Sequence, residues 1–453
     1  MSNKKIAIIG AGLAGLTTAY RLNQHGLNVD VFEAKNRVGG RVFTVLMQNY
    51  LGQITEVELG AQNITDGGEA ANLLNLIKEL KLETREKIIN LDALVYEEGK
   101  YRNFNELIKE HDKTLQDLHK LAEGADNIGH LIELFCHKNI ILKQGLLGRM
   151  TAYEGVDVYK QSIYHNMETL EWGLKGRIAK FHEVYDHNEN EVVTSHIFGG
   201  NARLPIETAK HLDGRIHYNK SLAKVTMNTG SVILEFHDKS VYEYDQIVLA
   251  IPTSTFKNID FSLSGIDKNR LFKINSIQYG CNYKTALPLN LNKWNGIRSI
   301  IANDAVSFHN HDDTIHILYA NSLLLDSAKF AGISARGIGV EIEETNIHPL
   351  DALDQNYIIY KEAIQHNWQR DKYAKGSYSG YSTSISEELD HISWHNGVRY
   401  KSLFMPINDV LFFVGEHTTI LECIGTMEAA VESGERIARA LTSKHKLRYT
   451  TDK

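Results

Sequence analysis

The chain opens on an unbroken apolar run, Ile6 to Ile9, set behind Lys4 and Lys5 and closed by "GAGLAG". A short apolar run bounded by glycine reads as a buried strand. From Leu13 the pattern turns helical and stops at His25-Gly26, where Gly26 takes the position after the C-cap that glycine fills best. "LNVDVFE" then reads as a second strand that ends at Glu33. Beyond Gly67 the period lengthens again. Leu73, Leu74, Ile77 and Leu80 share one helical face, and residues from about 70 to 195 read as mostly helical, an insertion rich in Lys, Glu and His. Strand patterns return in "GRIHYNKSLAKVTMNTGSVILEFHDKSVYEYDQIVLAIP", with turns at "NTG" and "HDKS", and a second mixed stretch runs from about 261 to 394. The chain closes with "VLFFVGEHTT" and a long helix in which Met427, Ala430, Val431, Gly434, Ile437, Ala438 and Leu441 form one apolar stripe.

Two readings compete for the opening. As a secretory signal, the lysines are the basic region and Ile6 to Leu16 the apolar core. As a dinucleotide site, Gly10, Gly12 and Gly15 form GxGxxG between strand and helix, flanked by Ala11, Leu13 and Ala14. Glu33 decides between them, because it ends the next strand about 20 residues past the glycines, where a carboxylate takes ribose hydroxyls. A signal peptide predicts nothing there. In the nucleotide reading Gly10 makes the tight turn, Gly12 admits the pyrophosphate and Gly15 lets the helix pack, with helix N–H groups on the phosphates.

At 453 residues two domains are the prior, and 43% hydrophobic with 23% charged residues is an ordinary globular composition. A net charge of -7 argues against nucleic acid as partner. Cys136, Cys281 and Cys423 are too few and too far apart for a disulfide framework or a metal motif, which suggests a reducing, cytoplasmic setting. No run approaches the 18 or so apolar residues of a membrane span. The 21 histidines are scattered; the densest group, "HNHDD" at 309–313, reads as a polar turn, and no metal site is expected.

Spacing alone leaves NAD and FAD open. "EAKNRVGGR", "ELGAQ", "GGNARLP", "SLAKV", "NWQRDKYAKGSYSG" and "FVGEHTTILECIGTMEAAVESGERIA" together resemble, in order from residue 6 to about 440, the flavin monoamine oxidase family, with its polyamine oxidases, histone demethylases and L-amino acid oxidases. The resemblance implies an α/β fold: a discontinuous Rossmann-type FAD-binding domain (1–69, 195–260 and 395–445) with a mixed α+β substrate domain (70–194 and 261–394). It implies that Glu33, beside Ala34, binds the adenosine ribose, with Leu222 near the adenine. Arg41, after Gly40, lies beside pyrophosphate and flavin. Gly60, Ala61 and Gln62 run along the isoalloxazine, which Trp368 and Tyr373 flank. Gly415 and Glu416 hold the ribityl and pyrophosphate region, and Met427 offers its N–H to the pyrimidine edge, where the helix dipole favours the charge of reduced flavin. Lys284 resembles the family's lysine held through water to flavin N5; the competing reading is a solvent-exposed lysine on a strand edge.

Three departures bear on function. Ser377 stands where covalent members carry a cysteine, so noncovalent FAD is expected. Tyr378 matches one wall of the two-tyrosine cage, whereas Thr426 occupies the other, a pattern shared with polyamine-oxidising relatives; the competing role for Tyr378 is core packing. L-amino acid oxidases commonly place an arginine after the "LG" loop, but this chain reads Gln62, Asn63, Ile64. Arg149, Arg177 and Arg370 are other candidate carboxylate clamps, each expected to be ordinary surface. The implied reaction is hydride transfer from an amine C–N bond to flavin, giving an imine, then a carbonyl compound, and hydrogen peroxide. A small amine and oxygen are the expected partners, with a homodimer as an admissible assembly. An L-amino acid oxidase, another flavin dehydrogenase or desaturase, and a non-catalytic FAD binder remain as alternatives.

Overall fold

The computed structural model describes residues 4–64, 70–90, 93–97, 100–175, 191–212, 214–288, 299–301, 305–309, 315–321, 329–330, 333–334, 340–341, 359–360, 364–380, 382–383 and 391–450. At its centre lies a parallel five-stranded sheet that gathers Leu411–Phe413, Gln246–Leu249, β1 (Lys5–Ile9), β2 (Asn28–Phe32) and Ile216–His217, in that spatial order. Both faces of β1 are covered. Ile6 and Ile8 pack with Leu16, Ile437 and Leu441 on one side, while Ala7 and Ile9 pack with Val225, Leu234 and Phe256 on the other. This explains why β1 reads as a solid apolar run: a parallel strand covered on both faces has no side for polar residues.

Helix α1 (Leu13–Gln24) follows β1 and ends as expected, with His25 at the C-cap and Gly26 at φ 70°. The C-terminal helix, Met427–Thr450, lies against it. They approach so closely that a Cβ on Gly434 would fall 2.7 Å from the Ala14 carbonyl oxygen. A four-stranded sheet (Val241–Tyr244, Ser231–Phe236, Leu222–Asn228 and Asp260–Leu263) covers the opposite face. The same core takes in Phe261, Ile266, Ile274 and Ile277, so the chain from 261 to 277 packs with the nucleotide-type sheet.

A second, largely antiparallel sheet runs in the order Val340–Glu341, Ile364–Asn367, Asn282–Leu287, His316–Asn321, Ala305–His309, Ile300–Ile301, Leu94–Glu97 and Lys100–Asn103. A helical layer, Phe104 to Lys175, packs on it through Phe104, Leu131, Leu146 and Leu170. The stretch after residue 70 is thus less helical than its composition suggests. Thr84–Asn90, Leu94–Glu97 and Lys100–Asn103 are strands. Their charged residues mimic an amphipathic helix, but two of the runs are held by distant partners, Thr84–Asn90 by Glu191–Ile197 and Leu94–Glu97 by Ile300–Ile301, and Lys100–Asn103 pairs back on Leu94–Glu97 as a hairpin. In α2 (Ala71–Glu79) the buried residues are Leu73, Leu76 and Ile77, whereas Leu74 is exposed. His309 ends a strand, and the rest of the "HNHDD" group lies outside the described residues.

Candidate active site

The opening glycines are not equivalent. Gly10 has φ 107°, and a Cβ on it would lie 2.7 Å from the Ala250 carbonyl oxygen; a Cβ on Gly15 would fall 2.1 Å from the Gly10 oxygen. The fold itself therefore requires both. Gly12 is different: its φ is -71° and a Cβ there would meet nothing within 4 Å. Its bare backbone opens α1, which has no side-chain cap and no acid in its first turn. An uncapped helix N-terminus beginning at a bare glycine fits a pyrophosphate. Gly40, at φ 56°, lies beside it, a Cβ there coming within 3.4 Å of the Gly12 Cα.

Glu33 is buried just past β2, where it accepts the Ala11 N–H at 2.7 Å and the Lys35 N–H at 2.8 Å. Burial pushes its carboxyl above the usual range against those two bonds. Ala34 follows, partly exposed. The adjacent chain is tied to the acid, since Glu33 N–H donates to His217 O and Lys220 N–H to Glu33 O. Two residues further on Leu222 begins its strand, buried in the core.

Arg41 pairs with the buried Glu416 at 2.8 Å. Glu416 also accepts the Ser379 hydroxyl and the Gly425 N–H. Burial works against its charge, but Arg41, His417 and Ser379 hold its carboxyl below the usual carboxylate range. Gly415, at φ 144°, sets up this turn and donates its N–H to Ser433. Met427 is buried among Leu13, Val42 and Val431 at the start of the C-terminal helix.

Gly60 packs so tightly that a Cβ would reach within 2.0 Å of the Arg41 carbonyl oxygen. Asn201 steadies the following residues, donating to the Ala61 and Gln62 carbonyls at 3.2 and 2.6 Å. Lys284 reaches the same loop from the second sheet. It is 6% exposed on an interior strand, and its ammonium donates to the Gly60 carbonyl at 2.8 Å and to Gln62 Oε1 at 3.0 Å. The solvent-exposed reading of Lys284 is therefore overturned. Trp368 is buried, with its indole N–H on the Leu59 carbonyl at 2.9 Å. Tyr373 is partly exposed in the next turn, its N–H on Asp371.

Tyr378 covers Gly425, where a Cβ would come within 2.3 Å of its ring, and its hydroxyl donates to the Tyr153 carbonyl at 2.5 Å. Thr426 is exposed nearby, but its hydroxyl caps the C-terminal helix: it accepts the Ala429 N–H at 3.1 Å and donates to Cys423 O. Two halves of a site, one from each sheet, thus meet along the Gly60–Gln62 loop. A model of the flavin containing amine oxidoreductases matches residues 13–284 and 346–442. The chain belongs to that family. It is a flavin-dependent amine oxidoreductase with FAD as cofactor.

This amine oxidoreductase is similar to amine oxidase [flavin-containing] A of Sus scrofa, 24% identical across 96% of this chain and 84% of that one. It is similar to the L-amino-acid oxidase of Protobothrops flavoviridis too, 22% identical across 96% and 88%. Among solved structures, a putrescine oxidase triple mutant superposes with a TM-score of 0.71 at 17% identity, covering 97% of this chain and 99% of that one. Cyclohexylamine oxidase from Brevibacterium oxydans does so with 0.69 at 16%, covering 98% and 100%. These likenesses establish the shared fold.

The oxidoreductase also contains site residues that sequence reasoning did not single out. Asp371 ion-pairs with Lys35 at 2.6 Å, approaches His366 at 3.4 Å and accepts the N–H groups of Tyr373 and Ala374. It thereby ties the loop after Glu33 to the Trp368–Tyr373 turn. Asn201 and Ser379 lie inside quoted motifs, but their partners come from distant parts of the chain. Arg149, expected at the surface, is buried, its guanidinium on the Gly173 carbonyl and over the Phe104 ring. Arg370 is exposed in a turn, and Arg177 lies outside the described residues. No helix among the described residues is long and apolar enough to cross a membrane.

Proposed function

We propose that this protein oxidises amines lacking an α-carboxylate, and that it holds FAD noncovalently, with Ser377 at the position where covalent relatives attach the flavin. One observation carries the substrate reading: the loop facing buried Lys284 presents Gln62, Asn63 and Ile64, so it offers no guanidinium to a carboxylate. A desolvated carboxylate without a cation costs several kcal/mol. Bound FAD supplies the two-electron acceptor that converts an amine to an imine, which water hydrolyses to a carbonyl compound, with oxygen reduced to hydrogen peroxide.

The chain's own groups divide the remaining work. Gly12 and the start of α1 would take the pyrophosphate, Glu33 the ribose, and Arg41 with Glu416 the central part of the cofactor. Lys284 places a fixed positive charge beside the Gly60–Gln62 loop, and Tyr378 forms an aromatic wall on the substrate side. In this reading 1–69, 195–260 and 395–445 form the cofactor domain, joined by α2 and by 261–277, which pack on it, and the remainder of 70–194 and 261–394 form the substrate domain. The test is a peroxide-coupled screen of the purified yellow protein against amines, polyamines and L-amino acids, together with acid precipitation. Amines should turn over best and all flavin should stay in the supernatant. An L-amino acid acting fastest, with its decarboxylated amine inert, overturns the substrate reading, and flavin in the pellet overturns the noncovalent one.

A further inference from the structure

A polar groove of about 330 Å³ opens where the helix Lys268–Asn275 meets the turn Ser402–Phe404, outside every residue assigned above to FAD or substrate. Its walls bring together Arg270, Lys273, Asn269, Asp267, His391 and Ser402. Helical spacing sets Arg270 and Lys273 on one side of their helix. Arg270 is held in place: its Nε donates to the Leu403 carbonyl at 2.8 Å, its Nη2 donates to the Met405 carbonyl, and the guanidinium lies over the Phe413 ring at 5.4 Å. Nη1 makes no hydrogen bond among the described residues and stays accessible.

The partners of Arg270 differ from those of other partly or fully buried arginines. Arg21, Arg41 and Arg436 each meet a carboxylate. Among the described residues Arg270 makes no ion pair. Burial pulls its guanidinium down to about 10, against the charge of Asp267. That acid shares the groove, but its Oδ1 accepts the Asn269 and Arg270 N–H groups at 2.9 and 3.1 Å and so caps the helix. An incoming anion would offset the desolvation of Arg270 and take the donors of Nη1. The second segment adds hydrogen-bonding groups: His391 Nδ1 lies 2.5 Å from Ser402 Oγ, which also meets Ser393 Oγ at 2.5 Å. Nε2 of the exposed His391 ring makes no hydrogen bond among the described residues. Donors of different kinds from two segments suit an anion with several acceptor oxygens, whereas a flat carboxylate would be satisfied by one arginine fork. The groove is also larger than a bare anion needs and has the size of a small-ligand site.

We propose that this groove binds a small phosphomonoester, its phosphate held by Arg270 Nη1, Lys273 and His391. The test is calorimetric titration of the flavin-bearing protein, whose pyrophosphate site is already filled, with glycerol 3-phosphate, inorganic phosphate and glycerol at constant ionic strength. Glycerol 3-phosphate should bind saturably at one site per chain and more tightly than inorganic phosphate, and glycerol should not bind. Lys273→Ala should weaken glycerol 3-phosphate by about tenfold, as loss of one charge-assisted contact implies. Arg270→Lys keeps the charge but loses the planar fork, and should weaken it too. Absence of saturable binding, inorganic phosphate binding as tightly as the ester, or wild-type affinity in both variants overturns the proposal. Should Arg270→Lys fail to retain flavin, unchanged affinity in Lys273→Ala does so alone.

Discussion

Lys284 illustrates how a single side chain acquires a role from its surroundings. Its ammonium is desolvated and fixed between the Gly60 carbonyl and Gln62, and a preorganised cation in a dry site favours negative charge developing on oxygen. Lys284→Met is expected to keep FAD but to slow its reoxidation by about tenfold or more relative to its reduction, within the range seen for losing one preorganised electrostatic contact. Stopped-flow traces with normal reoxidation would assign the lysine to structure alone. Glu58, on the strand leading into the same loop, affects stability instead. Burial pushes its carboxyl up to about 7 from 4.5, against bonds from the Asn201 N–H and the Thr44 hydroxyl and the charge of Lys284. A carboxyl whose folded value is raised binds its proton more tightly in the folded state. Its contribution is therefore fully present below about pH 4.5 and is lost as pH rises towards 7, a cost of about 3 kcal/mol. Glu58→Gln should raise the melting temperature at pH 8 and leave it nearly unchanged at pH 5; a rise of equal size at both values would exclude titration as the cause.

At the scale of elements, the two helix ends beside the site are capped in different ways. Thr426 caps the C-terminal helix from its own sequence, whereas α2 has Ala70 at its N-cap in a left-handed conformation and no local side-chain cap. The carboxylate of Glu428, in the first turn of the C-terminal helix, instead accepts the N–H groups of Asn72 and Leu73 and the Asn72 amide. One helix start thus fastens another. Thr426→Ala should cost about 1 kcal/mol, as N-cap losses typically do, and Thr426→Ser should recover it. If thermal unfolding shows both variants alike, the hydroxyl is not acting as a cap. The same contrast explains what could be read from the sequence. Gly10, Gly15 and Gly26 were legible because backbone geometry within a few residues demands them, and β1, Gln246–Leu249 and Leu411–Phe413 because burial on both faces leaves apolar runs. Glu428 on α2, Asn201 on Ala61 and Lys35 on Asp371 were not, because each contact joins residues far apart in the chain and neither partner carries a local signature. The strands Thr84–Asn90 and Leu94–Glu97 were misread for the same reason: long-range pairing overrides a charged, helix-like composition.

Across the whole molecule, the nucleotide-type sheet is assembled from segments separated by hundreds of residues. The edge strand Leu411–Phe413 pairs with Gln246–Leu249, and the helix after it covers α1. A chain truncated after residue 400 lacks that strand, Glu416 and the helix together. It should yield insoluble or flavin-free protein; soluble yellow protein would show that the closing segment is dispensable. The order of the strands also sets a timetable. On the ribosome β1 and β2 emerge early, but Leu411–Phe413 follows β2 by 379 residues (from 32 to 411), roughly 20–80 s at ordinary translation rates. Throughout that interval the nascent strand pair lacks its C-terminal cover. Yield in a host should therefore depend on chaperone supply and translation speed more than on the stability of the finished enzyme.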